Sequence, residues 1–145
     1  MPDFHKPLEV RRYPLPEEIE RGAMLVKIEM AGICGTDVHL WKGQLPIPRP
    51  IIMGHETVGV VEEIGAGTDW TGAPLSKGDR VTWSAGMLCG NCYHCTVIHQ
   101  PTRCLNRSAY GISFNSDEPP HFSGGYAEYI YLRPRTAVFK LTDVA

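Results

Sequence analysis

Two groups of side chains in this sequence have the types and spacing that hold metal ions. The first is Cys89, Cys92, Cys95 and Cys104, a C-x2-C-x2-C-x8-C pattern. Short loops let such thiolates converge at about 2.3 Å on one zinc ion and close a tetrahedral shell. A closed shell has no position for substrate, so its role is to hold a loop in shape. Gly90, between the first two cysteines, allows a sharp backbone turn there. A redox C-x-x-C pair would want a strand-to-helix setting, and two overlapping pairs plus a fourth cysteine argue against it. His94 and His99 fall inside the pattern and are read as surface histidines. The second group is quieter. Cys34, Thr36, Asp37 and His39 lie in "GICGTDVH", and His55 and Glu56 lie in "GHE". Taken singly, each has an ordinary reading: a small core thiol, a surface imidazole, a solvated charge. Taken together they supply a thiolate and an imidazole as zinc ligands, a carboxylate able to orient that imidazole or to bind the metal, and a hydroxyl beside the thiolate. A catalytic zinc takes three protein ligands and keeps one position open.

The elements that must position these groups read as strands. Ala23 to Cys34 is rich in apolar and β-branched residues, with Val26, Ile28 and Met30 on one face of a half-buried strand. "ETVGVVEEIG", ending at Gly65, "DRVTWSA" from Asp79, Gly125 to Leu132 with its tyrosines, and Thr136 to Leu141 read as four more. "LPIPRP", Leu45 to Pro50, has alternating prolines and reads as extended loop. No long helical period is present. The fold class is mainly β, a partly open barrel with long loops, short helices and a zinc-binding lobe over residues 86–106. "GAGTDW", Gly65 to Trp70, is the nearest approach to a dinucleotide-binding glycine pattern. Trp70 stands where the third glycine should, and "TGAP" opposes a helix, so it reads as a turn.

With 145 residues the chain has the size of one domain, and 43% hydrophobic with 21% charged residues is ordinary for a globular protein. A formal net charge of −2 gives no basic surplus for a phosphate backbone. The cysteine lobe has no Lys or Arg between Cys89 and Arg103, which counts against a nucleic-acid zinc ribbon. "MPDFHKPLEVRRYPLP" has no signal-peptide core, and no stretch approaches the roughly 20 apolar residues of a membrane span. The expected setting is cytoplasmic, where thiols stay reduced and serve metals rather than disulfides. The closing "KLTDVA" offers Thr142 or Asp143 as the cap of a helix that is not built, so the chain reads as a domain of something longer.

The motifs "GICGTDVHLWKG", "MGHETVGVVEEIGAG", "GDRV", the cysteine lobe and "GGYAEY" together resemble the N-terminal catalytic domain of zinc-dependent medium-chain alcohol dehydrogenases, which has a GroES-like fold. The resemblance covers nearly the whole chain. It implies that Cys34 and His55 are catalytic-zinc ligands, with Glu56 a ligand in some states or just behind the metal. It implies that Asp37 holds His55, and that Thr36 and His39 form a proton relay to solvent. Cys89, Cys92, Cys95 and Cys104 would hold a structural zinc. The interval from Cys95 to Cys104 is one residue longer than the family usually shows, with His99 as the alternative fourth ligand. Trp41 and the "LPIPRP" loop lie close in sequence to the relay, as pocket lining or as plain packing. The implied activity is oxidation of an alcohol, or reduction of the carbonyl, with hydride exchanged with NAD or NADP. The substrate is a small molecule, with neither nucleic acid nor membrane as partner, and the full-length form is commonly a homo-oligomer. The nucleotide-binding domain and the third zinc ligand are expected outside these residues, so the chain alone is expected to be inactive. A stand-alone zinc-binding interaction module on the same scaffold is the alternative.

Overall fold

The computed structural model describes residues 1–142. Asp143, one of the two expected helix caps, lies outside the described residues. Among the described residues seven strands form: β1 (Met24–Gly32), β2 (Glu56–Ile64), β3 (Arg80–Trp83), β4 (Gly86–Met87), β5 (Ser108–Ala109), β6 (Tyr129–Leu132) and β7 (Val138–Lys140). Five make one antiparallel sheet in the order β6-β1-β2-β3-β7, and β4 pairs with β5 separately. β6 and β7 are the two edges of the larger sheet, which is therefore open rather than a closed barrel. Two short helices, α1 (Gly35–Trp41) and α2 (Tyr93–Thr96), and a 3-10 turn at Pro101–Arg103 complete the regular structure. None of the helices is long and apolar enough to cross a membrane.

The apolar strand residues meet in one main core. Val26, Val61, Val81, Ile130, Leu132 and Val138 are almost fully buried there around Tyr110. Each such aliphatic side chain contributes about 1.5–3 kcal/mol of transfer free energy. Β-branched residues dominate because they pack well on a pleated surface. A second cluster joins Leu40 of α1 to Ile51 and Met53, with Tyr126 packed against it. This smaller cluster underlies the chemical site.

Three strand expectations are corrected. Met30 does not continue the buried face of Val26 and Ile28; it is 67% exposed. The β1–β2 register shifts between Ile28 and Met30, and an irregularity of that kind re-aims every later side chain. The strand expected from Gly125 begins only at Tyr129. The backbone N–H groups of Gly125 and Tyr126 instead donate to Gly54 O and Met53 O. The last strand is likewise trimmed to Val138–Lys140. The Gly65–Trp70 stretch makes no helix: Asp69 accepts from the backbone of Thr71 and Ala73, and Thr68 bridges to Pro74.

Candidate functional site

Cys34 sits in extended backbone just before α1 and caps it. Its sulfur accepts the Thr36 N–H at 3.5 Å, and Asp37, in the first turn, accepts the Cys34 N–H at 2.9 Å. This reciprocal arrangement is a capping box with a thiol in the hydroxyl's place. It satisfies two of the unpaired donors that open a helix. The carboxylate also suits the positive end of the helix dipole. Asp37 and Leu40, three residues apart, are the buried face of α1. The helix is thus anchored by Leu40 in the second cluster, with its sulfur-bearing start turned to the site.

His55 and Glu56 arrive from the start of β2. The turn before them needs Gly54, which has φ +90°. A Cβ there would stand 2.6 Å from Cδ1 of Tyr126. The turn brings the donor atoms of Cys34, His55 and Glu56 within 4.8 Å of one another. Thr36 Oγ1 lies 3.6 Å from the Cys34 sulfur.

Asp37 is 3% exposed and surrounded by donors. Its Oδ2 accepts from Cys34 N–H and from the Tyr126 hydroxyl, each at 2.9 Å; its Oδ1 accepts from Gly54 N–H at 3.3 Å. His55 Nδ1 stands 3.6 Å from Oδ1, an ion-pair distance but too long for a hydrogen bond. That ring nitrogen is buried without a hydrogen-bond partner. Buried polar atoms are normally satisfied, and this one faces the Asp37 carboxylate; the thiol, imidazole and carboxylate of Cys34, His55 and Glu56 together make the donor set of a metal centre. The residues present fit a zinc ion. Tyr126, read in sequence as strand aromatic, was missed as part of this constellation. Only the three-dimensional path of residues 125–128 brings it here. Burial, and then the neighbouring Asp37 carboxylate, push its phenol well above the usual range, so it stays a donor. His39 is exposed on α1, and its Nδ1 pairs with Gln44 Oε1 rather than with any group of the cradle. Trp41 donates its Nε1–H to Lys6 O at 2.9 Å and packs edge-on against His5. That is a packing role for Trp41, holding the N-terminal segment. A cleft of about 810 Å³ lies beside residues 8–13, with Met53 and Tyr126 in its wall but none of Cys34, His55 and Glu56.

The four lobe cysteines leave the body through the β4–β5 pair, Gly86 opposite Ala109 and Met87 opposite Ser108. Cys89 and Cys104 sulfurs are 3.5 Å apart, Cys92 and Cys95 3.5 Å, and Cys89 and Cys95 4.0 Å. Sulfurs on a tetrahedral shell of 2.3 Å radius stand about 3.8 Å apart, so the set fits one zinc ion. Gly90 has φ +68°, and Arg135 Nη1 donates to Cys89 O at 2.8 Å, tying the lobe to the segment before β7. Neither His94 nor His99 belongs to the set; the longer interval to Cys104 is wound into α2 and the 3-10 turn. Asn91 N–H holds the Cys89 thiol down to about 6, whereas burial, then the neighbouring Cys92 thiol, push Cys95 up to about 12. Four thiols this close oppose shared ionisation, and a cation relieves it.

Comparison with known proteins reaches the same place. Residues 20–143 match the family model "Alcohol dehydrogenase GroES-like domain". The 5-exo-hydroxycamphor dehydrogenase of Pseudomonas putida is 36% identical over 127 residues, 86% of this chain and 34% of the relative. The crystal structure of an alcohol dehydrogenase from Thermotoga maritima superposes with a TM-score of 0.92 at 41% identity, covering 97% of this chain and 39% of that one. A zinc-binding dehydrogenase structure from Sinorhizobium meliloti, bound to NADP, gives a TM-score of 0.74 at 34% identity over 92% of this chain and 34% of that one. The chain therefore spans about a third of the length of the curated relatives it matches. With the open sheet, the convergent donors and a family match over most of the described residues, this chain belongs to the alcohol dehydrogenase GroES-like domain family.

Proposed function

We propose that this chain, residues 1–145, is the catalytic domain of a zinc-dependent alcohol or polyol dehydrogenase. The reaction interconverts an alcohol and its carbonyl, with hydride exchanged with NAD or NADP. The observation that carries the reading is the convergence of the donor atoms of Cys34, His55 and Glu56 within 4.8 Å of one another. An interaction module has no need of that arrangement, so the interaction reading is not favoured.

Zinc bound there supplies Lewis-acid polarisation of the substrate oxygen. The chain's residues do the rest. Cys34 and His55 hold the metal from two rigid elements, the start of α1 and the start of β2. Glu56 is exposed, so its carboxylate can bind or withdraw. Asp37 Oδ1, 3.6 Å from His55 Nδ1, is placed behind the ring to orient it by charge. Thr36, beside the thiolate, would accept the substrate's hydroxyl proton while releasing its own. His39, at the surface of the same helix, would receive that proton through intervening water and hand it to solvent; imidazole suits proton exchange near neutral pH. Residues 86–106 carry a structural zinc on Cys89, Cys92, Cys95 and Cys104, which shapes the lobe and leaves no open coordination position. Reduced thiols suit a cytoplasmic setting. The NADP-bound S. meliloti relative supports a nicotinamide cofactor. The relatives' names support a small alcohol or carbonyl as substrate. A homo-oligomer is the expected state of the full-length enzyme.

The test is a chimera that joins this chain to the nicotinamide-binding domain of a relative. Alcohol-dependent reduction of NAD(P) is expected, and Cys34→Ser and His55→Ala are each expected to abolish it. A Cys34→Ser chimera with full activity would overturn the reading.

A further inference from the structure

We infer that Tyr126 is a positioning residue of the metal cradle: acting through Asp37, it locks the turn that carries Cys34 to the turn that carries His55. The inference rests on the zinc reading of Cys34, His55 and Glu56.

Tyr126 is fixed at both ends. Its backbone N–H donates to Met53 O at 2.9 Å, and the preceding Gly125 N–H donates to Gly54 O at 2.8 Å. Its ring fills the space that a side chain at Gly54 would need. From this anchor beside His55, the hydroxyl crosses to the other segment. It reaches Asp37 Oδ2 at 2.9 Å and Gly32 O, at the end of β1, at 3.2 Å. A phenol has one proton, and the charged carboxylate is the stronger acceptor. With Cys34 N–H and Tyr126 both on Oδ2, the other oxygen, Oδ1, is the one aimed at Gly54 N–H and His55 Nδ1. Tyr126 therefore fixes the plane of the carboxylate, holding one oxygen towards the imidazole. Removing its hydroxyl leaves the ring and its packing in place but frees the carboxylate to rotate. Groups that orient a metal-binding histidine from behind change metal affinity 10- to 100-fold when lost. One of the three hydrogen bonds on Asp37 corresponds to the lower end of that range.

The experiment fills the cysteine lobe with one equivalent of zinc and titrates the second site of the chain with Co²⁺, read by its visible absorption. Tyr126→Phe is expected to weaken Co²⁺ binding about tenfold while the melting temperature of the zinc-loaded, cobalt-free chain stays that of the wild type. Asp37→Asn weakens it further, and the double variant Tyr126→Phe/Asp37→Asn is no weaker than Asp37→Asn alone, because both act through one carboxylate. Wild-type affinity in Tyr126→Phe, additive losses in the double variant, or a matching fall in melting temperature and lobe zinc would each overturn the inference. A wild-type chain that binds no second metal overturns the zinc reading itself, and the inference with it.

Discussion

The cysteine lobe and the Cys34 cradle are both built to hold a metal, yet they are assembled in opposite ways. The lobe draws four like donors from Cys89 to Cys104 and closes on a single two-stranded clamp. The cradle draws unlike donors from the start of α1 and the start of β2, with Tyr126 set between them from a third segment. Loop closure over a few residues costs little entropy, so a lobe can form wherever its metal is present. The cradle exists only once the sheet, α1 and the Leu40 cluster have folded around it. On the proposed reading, the local, saturated shell serves structure and the remote, mixed and partly exposed one serves chemistry.

The largest expected effect separates the two sites outright. Structural zinc in small domains contributes about 10–16 kcal/mol of binding free energy. Cys95→Ser opens the four-thiol shell and is expected to abolish lobe zinc while the cradle metal stays bound. Metal content after dialysis measures this, and loss of both metals would contradict the separation. The next effect runs the other way. Leu40 is fully buried in the cluster beneath α1, and Leu40→Ala is expected to cost about 2–5 kcal/mol in urea unfolding. The same variant should weaken the cradle's metal and spare the lobe's.

How much of this was legible in the sequence follows the same division. The lobe was readable because its four donors are neighbours in the chain, and spacing alone implies convergence. The strands were readable from apolar and β-branched runs, although their ends were not. Met30 was misplaced because a register shift leaves no mark in residue pattern. The cradle's residue types were visible in "GICGTDVH" and "GHE", but their meeting depends on a turn at Gly54 and on the antiparallel pairing of β1 with β2, neither of which is written in either motif. Tyr126 was invisible as a site residue. Its hydroxyl contacts a carboxylate 89 positions earlier, and an aromatic in an apparent strand has packing as its default reading.

Two smaller effects sharpen the contrast. Asp37→Asn keeps the shape of the side chain but removes the charge that faces His55. It is expected to lower cradle affinity 10- to 100-fold, about 1.4–2.7 kcal/mol, with lobe zinc unchanged. Equilibrium dialysis against a zinc buffer distinguishes the two. The smallest effect is in pH. Zinc must displace the Cys95 proton, whose thiol is pushed up to about 12, while Cys89, held down to about 6, is already ionised at neutral pH. Lobe affinity should therefore fall by about tenfold per proton released for each pH unit lowered, and Cys89 adds to the slope below about 6. The cradle has one thiol and should show a shallower dependence. Parallel slopes in proton-release titrations would contradict the difference in donor sets.

The most direct test of the central claim is a native mass spectrum of the purified chain and of its Cys34→Ser variant. The account predicts two zinc ions on the wild type and one on the variant. A wild type that carries one zinc, unchanged by Cys34→Ser, would show that Cys34, His55 and Glu56 do not hold a metal by themselves.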